Sequence, residues 1–193
     1  MSRCDYNHGM PPEIKTPTAE ADRNRLAQQV RLACLMEASA RKPGNVHPEA
    51  SFSDLVYEDF VRAAEVVAPV LARSRELGVG PAVLAAIEAT QRKSPECSTA
   101  GDRIAGNINL GIVLLIAPLA AVPAAQSLRK GIAEVLDGLT RQDAASAYAA
   151  IRLAAPGGLN RVSEQDVAGA PSVTLRDRFH RDSSNTFRAA IGV

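Results

Sequence analysis

The stretch that decides the fold is EASARKPGNVHP, residues 37–48, because a helical pattern ends inside it. The residue before a proline avoids the α conformation, and proline cannot continue the helical hydrogen bonds, so the helix must end near Lys42 and Pro43. Gly44 then permits either a backbone conformation or a close ligand approach that a residue with a Cβ would resist. The turn also carries cations, an imidazole and a carboxylate. It is therefore either a site for a charged ligand or an ordinary connection between two helices.

Apolar residues recur at three- and four-residue spacing on both sides of this turn, which predicts helices rather than strands. The predicted helices are residues 19–41, 55–77, 81–92, 99–121, 123–139 and 144–154. The stretch Thr16-Pro17-Thr18 is expected to supply a cap for the first helix and a proline able to occupy its first turn. The fold class is therefore all-α, a single-domain multi-helix bundle around a buried central helix. We expect a flexible leader at 1–16, the helical domain at 17–178 and an irregular tail at 179–193.

The central helix is predicted over residues 99–121, and the apolar run at residues 108–122 covers every side of it. Such a segment is buried in the core or in a helix-packed homodimer interface. The first turns of this helix, from residue 99 onward, hold polar residues and glycines, and on one interpretation they face a pocket. On the other interpretation the small residues serve only close packing.

Composition excludes several classes of protein. The chain has 193 residues, 46% hydrophobic but only 4% aromatic, so one aliphatic core is expected. A net charge of +1 gives no field suited to nucleic acid or to an acidic membrane. The three cysteines form no paired framework, which argues against a disulfide scaffold. The N-terminal residues have no apolar core of a signal peptide, and the longest apolar run is too short to span a bilayer. A cytoplasmic protein is predicted.

Three groups of residues, in this order, resemble the motifs of the triphosphoribosyl-dephospho-CoA synthase family. The first group is Glu37, residues 42–48, Phe52 and residues 57–60; the second is residues 107–111 and 114–119; the third is residues 149–159 with Asp166, Val167 and Pro171. The resemblance implies an all-α transferase that uses ATP as a sugar donor. The 2′-hydroxyl of 3′-dephospho-CoA attacks C1′ of the ATP ribose, adenine leaves, and the triphosphate stays on the transferred ribose.

This chemistry requires Mg²⁺, because a triphosphate carries several negative charges that need a metal and nearby cations. The candidate catalytic residues are Glu37, His47 and Asp102, and Glu37 and Asp102 are also the candidate metal ligands. The candidate substrate-binding residues are Lys42, Gly44, Asn45, Arg103, Asn107, Asn109 and Gly111. An imidazole such as that of His47 changes charge near neutral pH and so suits acid–base work.

Each of these assignments has an ordinary structural alternative. Glu37 lies beside the apolar stripe of its predicted helix, where a carboxylate needs a partner, and Arg41 one turn later would supply one. His47 could be no more than an exposed loop residue.

The chain also departs from the family. Family members carry Asn-Thr-His-Lys-Gly where residues 107–111 read Asn-Ile-Asn-Leu-Gly, and Leu110 cannot hold a phosphate as lysine would. Family members also continue further, so the chain is expected to be shortened or altered near its C-terminus. Two rival functions follow: a non-catalytic helical remnant that binds a nucleotide or a partner protein, and an enzyme of pterin or one-carbon cofactor biosynthesis.

Overall fold

The computed structural model describes residues 18–53, 55–91, 108–155 and 166–177. The helices are α1 Ala19–Ser39, α2 Tyr57–Leu71, α3 Ser74–Leu77, α4 Val79–Gln91, α5 Leu110–Ala121, α6 Leu128–Asp137 and α7 Arg141–Ala154. The described ranges contain no β-strand beyond one isolated bridge between His47 and Ala50. The all-α prediction is confirmed.

Helix α1 begins and ends for local reasons. The hydroxyl of Thr18 accepts a hydrogen bond from the backbone N–H of Ala21 at 3.2 Å, so Thr18 is the capping residue within the predicted stretch 16–18. The helix stops at Ser39, two residues earlier than predicted, because Ala40 is already extended ahead of the Lys-Pro pair. Residues 40 and 41 therefore belong to the following turn.

Helices α1 and α2 form an antiparallel hairpin. Three side-chain contacts at eight-residue steps along α1 join it to the returning chain: Arg23 to Glu76 at 2.8 Å, Arg31 to Glu65 at 2.6 Å and Ser39 to Tyr57 at 2.8 Å. As the chain advances along α1, its partners lie at successively earlier positions, from α3 back to the start of α2, so the two arms run in opposite directions. The turn that carries the first family motif is therefore the closed end of this hairpin.

The helix predicted over residues 55–77 is two helices in the structure. Helix α2 ends at Leu71, and the hydroxyl of Ser74 at the start of α3 donates to the Leu71 carbonyl at 2.7 Å. The start of α2 also has a specific contact, since the backbone N–H of Val56 donates to Asp59 Oδ2 at 2.9 Å. The helix predicted from residue 123 begins only at Leu128.

Helices α4 and α7 approach each other closely at Gly80. A Cβ built on Gly80 would lie 2.4 Å from both the Cα and the carbonyl oxygen of Asp143, so only glycine fits there. The backbone N–H of Gly80 donates to Asp143 Oδ1 at 2.8 Å. The same carboxylate accepts the N–H of Thr140 at 2.9 Å and its hydroxyl at 2.7 Å. One side chain thus caps α7 and attaches it to α4.

Helix α5 occupies the centre of the bundle, since it contacts each of the six other helices in the described ranges. It buries Leu110, Val113, Ala117 and Ala120. Its remaining face is open, and Leu115 is 71% exposed. The expectation that residues 108–122 are buried on every side is therefore wrong for this face within the single chain.

Across the described ranges, no helix combines the length and the apolar character that a membrane span demands.

Candidate functional site

The closed end of the α1–α2 hairpin has a defined turn at its start. The backbone N–H of Asn45 donates to the carbonyl of Lys42 at 3.2 Å, and Gly44 between them has a φ of +76°. A side chain at Gly44 would meet nothing within 4 Å, so space does not require glycine here. The left-handed backbone conformation does, because it strains residues that have a Cβ. Of the two explanations that the sequence allowed for Gly44, the structure supports the conformational one.

The second part of the turn orients His47. Its backbone exchanges hydrogen bonds with Ala50 at 3.0 and 2.9 Å, and the N–H of Glu49 donates to the imidazole Nδ1 at 3.3 Å. Because Nδ1 accepts, the neutral ring carries its proton on Nε2. His47 is half-buried, and its Nε2 has no hydrogen-bond partner in the described part of the chain. The imidazole therefore presents an unused N–H donor.

Two ion pairs cross the turn, one between Glu37 and Lys42 and one between Arg41 and Glu49. The expected pairing of Glu37 with Arg41 is wrong. Arg41 lies beyond the end of α1, so it is no longer one helical turn from Glu37, whereas the chain reversal brings Lys42 back to that carboxylate. The expectation of a buried carboxylate is also wrong, because the Glu37 side chain is 46% exposed.

The charge of Glu37 reaches one turn back into the core. Burial raises the pKa of the Cys34 thiol to about 11, and the negative charge of Glu37 adds to that effect. Cys34 itself is a free, buried cysteine, as its position in the apolar pattern predicted. Glu37 thus lies at the border between the core and the polar turn.

The second motif begins α5 with a buried amide. Asn109 is the residue before the first turn of α5 and is only 5% exposed, and its Nδ2 has no hydrogen-bond partner among the residues that the structure describes. A buried donor without a partner costs about 1–3 kcal/mol, so within those residues this N–H remains available to a ligand. The next residue, Leu110, belongs to the core, and Gly111 is exposed. Family members have lysine at the position of Leu110, so this chain has no cation there.

Lys42, His47, Gly44 and the exposed Asn45 lie in one turn, and Glu37 in the last turn of α1 is joined to it by its ion pair with Lys42. Three other predicted residues, Asp102, Arg103 and Asn107, lie outside the described residues. The predicted metal pair of Glu37 and Asp102 is therefore untested. Among the side chains that the structure describes, no group of three or more His, Cys, Asp or Glu residues could hold a metal ion.

Sequence reasoning missed the second pair of charges, Arg41 and Glu49. Both lie in the polar turn, and the signal that could have identified them is the end of α1 before Pro43, which directs Arg41 into the turn. It also missed a cleft of about 450 Å³ between the first half of α1 and the second half of α5. The cleft is lined by Leu26, Gln29, Ala33, Arg75, Ile116 and Leu119, among others.

Comparison with known proteins gives one clear result. The family described as ATP:dephospho-CoA triphosphoribosyl transferase (CitG) matches residues 23–187, which include the α1–α2 turn and α5. Neither the curated proteins nor the solved structures contain a significant match. The resemblance seen in the motifs is confirmed by a match over most of the chain. The chain therefore belongs to the ATP:dephospho-CoA triphosphoribosyl transferase family, a family of transferases.

Proposed function

We propose that this protein transfers the 5-triphosphoribosyl group of ATP to the 2′-hydroxyl of 3′-dephospho-CoA and releases adenine. The bond between C1′ and adenine breaks, a bond between C1′ and the acceptor oxygen forms, and the hydroxyl proton is lost as adenine gains one. The observation that carries the proposal is the family match, which covers the charged turn and α5 together.

The charged turn supports a role in binding the triphosphate. Lys42 and Arg41 are held by Glu37 and Glu49 in ion pairs whose side chains are 35–69% exposed. Exposed ion pairs contribute only about 0–1 kcal/mol, whereas charge-assisted hydrogen bonds contribute about 1.5–3 kcal/mol. A triphosphate can therefore displace the two carboxylates at little cost. In this role the turn supplies the cations that Leu110 does not.

The same turn fits magnesium that arrives with ATP. Mg²⁺ prefers oxygen ligands and is usually held by one or two carboxylates together with substrate phosphates and water. Glu37 and Glu49 offer such oxygens, so a site of three protein ligands is not required. Bound Mg²⁺ would neutralise charge on the triphosphate. Glu37 would hold it once Lys42 has turned to the phosphates, with Asp102 as the second ligand expected from the sequence.

Proton transfer is assigned to His47 and a carboxylate. The Nε2–H of His47 suits a hydrogen bond to the adenine that leaves, and the ring transfers a proton to adenine only from its imidazolium form. Glu37 and Asp102 are also the candidate bases, and a carboxylate oxygen of either that is not bound to Mg²⁺ would accept the proton of the 2′-hydroxyl. Asn109 has the spare donor that a ribose oxygen or a base edge would satisfy.

The test is incubation of the protein with ATP, Mg²⁺ and 3′-dephospho-CoA, with free adenine measured by chromatography and the product by mass. We expect adenine only when the acceptor is present. Lys42→Ala should raise the KM for ATP, while the control Lys130→Ala, which removes an exposed lysine of α6, should not.

The other outcomes contradict the proposal and favour its rivals. Binding of ATP without adenine release would indicate a non-catalytic nucleotide-binding protein. Neither binding nor release would direct the search to substrates of pterin or one-carbon cofactor biosynthesis.

A further inference from the structure

The cleft between α1 and α5 lies on the same face of α1 as the charged turn. Leu26, Gln29 and Ala33 line the cleft, and Glu37 follows at the same three- and four-residue spacing. Residues at this spacing share one side of a helix. The axial distance from Leu26 to Glu37 is about 16 Å at 1.5 Å per residue. One stripe of α1 therefore leads from the cleft to the ion pair of Glu37 and Lys42.

Helix α5 shows the same relation. Ile116 and Ala120 line the cleft, and Asn109 lies on the same side two turns before Ile116. The first half of α1 thus faces the second half of α5, and the unpaired amide lies toward the opposite end of α5 from the cleft. The stripe on α1 thus leads from the cleft to Glu37, a candidate catalytic residue, and the stripe on α5 leads to Asn109, a candidate substrate-binding residue.

The cleft has the chemistry of a binding site for a neutral arm that carries amide groups. Its walls are mainly aliphatic, and Gln29 and Gln126 contribute carboxamides. Arg25 is neutralised by Asp22 at 3.2 Å, and Arg75 donates its Nε–H to the carbonyl of Val122 at 2.7 Å. The remaining N–H groups of Arg75 can donate to a carbonyl oxygen. This set suits an amide-bearing alkyl chain better than a diphosphate, which needs several free cations.

We propose that this cleft binds the pantetheine arm of the acceptor while the ribose of the acceptor lies at the α1–α2 turn. The inference rests on the proposed function, since it takes dephospho-CoA as the acceptor. Pantetheine combines two amides with an apolar dimethyl segment, which matches the aliphatic walls and the carboxamides. An extended arm is also what a path of this length along α1 requires. The cleft would then distinguish dephospho-CoA from shorter nucleotides that have the same 2′-hydroxyl.

The experiment compares dephospho-CoA with ADP, which has the adenosine and the diphosphate but no pantetheine arm. Binding of each is measured by calorimetry, and adenine release from ATP is measured with each acceptor. Ala33→Phe fills the cleft from an exposed position of α1, and Ala133→Phe places the same ring on an exposed alanine of α6 as the matched control.

We expect the parent protein and the control to prefer dephospho-CoA over ADP roughly tenfold or more, and Ala33→Phe to lose most of that preference. Circular dichroism and thermal melting of both variants show whether each is folded. A second variant, Gln29→Ala, should reduce the preference without adding bulk. The measured quantity is the ratio of the affinities for dephospho-CoA and ADP. A general loss of folded protein would lower the binding of both ligands and leave this ratio unchanged.

Failure of this inference can be distinguished from failure of the proposed function. If adenine is released but Ala33→Phe keeps the parental preference, the cleft does not bind the arm and the transferase function stands. If no acceptor supports adenine release but calorimetry shows the preference and its loss in Ala33→Phe, the cleft assignment stands without the reaction. Equal binding of dephospho-CoA and ADP by the parent protein overturns the assignment.

Discussion

Replacing Gly80 by alanine tests the close contact between α4 and α7. The added Cβ would lie 2.4 Å from the Cα and the carbonyl oxygen of Asp143. Those atoms are backbone within the first turn of α7 and cannot rotate away, so the helices must separate. Overpacking of this kind costs about 1–3 kcal/mol, occasionally more. Separation also weakens the bond from the Gly80 N–H to the carboxylate, for which about 1.5–3 kcal/mol is typical.

Helix propensity acts in the opposite direction, because alanine is favoured over glycine inside a helix by about 1 kcal/mol. The net loss expected for Gly80→Ala is therefore about 2–4 kcal/mol. For a domain of this size that lowers the melting temperature by about 4–16 °C. The assay is urea unfolding followed by far-UV circular dichroism, with a thermal scan of the same samples.

Gly111→Ala is the matched control, since Gly111 is also helical but a Cβ there meets nothing within 4 Å. This variant should be as stable as the parent or more stable by about 1 kcal/mol. The reasoning is refuted if Gly80→Ala unfolds at the same urea concentration as the parent, or if the two variants behave alike.

The other predictions concern charge, nucleotide binding and association. Burial acts to raise the pKa of Asp143, but the hydrogen bonds that it accepts hold this pKa below its usual value. The contribution of Asp143 to the free energy of unfolding is therefore complete above its unfolded pKa, near 4, and is lost as the pH falls through its lower folded pKa. Asp143→Asn should flatten this acid part of a plot of the free energy of unfolding against pH. Titration calorimetry with Mg-ATP should show that Glu37→Gln abolishes metal-dependent binding and that Lys42→Ala weakens binding by about 1.5–3 kcal/mol. Parental affinity in both variants would exclude the turn as the triphosphate site. If the exposed face of α5 mediates the homodimer expected from the sequence, Leu115→Lys should reduce the mass in light scattering to that of a monomer while Leu153→Lys does not, and a monomeric parent would contradict self-association.

The helices were predictable from the sequence because their signals are local. Apolar spacing located α1, α2, α4, α5 and α7, and the cap at Thr18 and the positive φ at Gly44 follow from the chemistry of single residues. The boundary error at the end of α1 is also local: Pro43 restricts only the residue directly before it, so the sequence predicted a helix up to Arg41, whereas Ala40 is already extended. Backbone preferences thus determine most of the element order.

The exposure of α5 could not be predicted in the same way. An apolar helix with no polar face has no periodicity that shows which side is covered, so composition alone suggested full burial. Coverage depends on where the other helices lie, and they leave Leu115 exposed. The cleft beside α5 was missed for the same reason, because it is formed by residues about ninety positions apart.

The candidate site was predicted in part. Glu37 and Lys42 were both identified, but their direct contact was not, because the helical rule of four-residue spacing favoured Arg41. That rule fails once the helix has ended. The buried, unpaired amide of Asn109 also had no sequence signal, since an asparagine before a helix is usually an exposed cap.

The hairpin of α1 and α2 has a consequence for the order of folding. Its contacts join residues 18 and 34 positions apart, whereas the bond between Gly80 and Asp143 closes a loop of 63. Loop-closure entropy makes the 63-residue closure more costly than the 18-residue one by about 1 kcal/mol, so the hairpin should form before α7 docks on α4. The charged turn would then already have its native shape while the rest of the bundle is still unfolded. Variants at the α4–α7 contact should accordingly speed unfolding more than they slow folding.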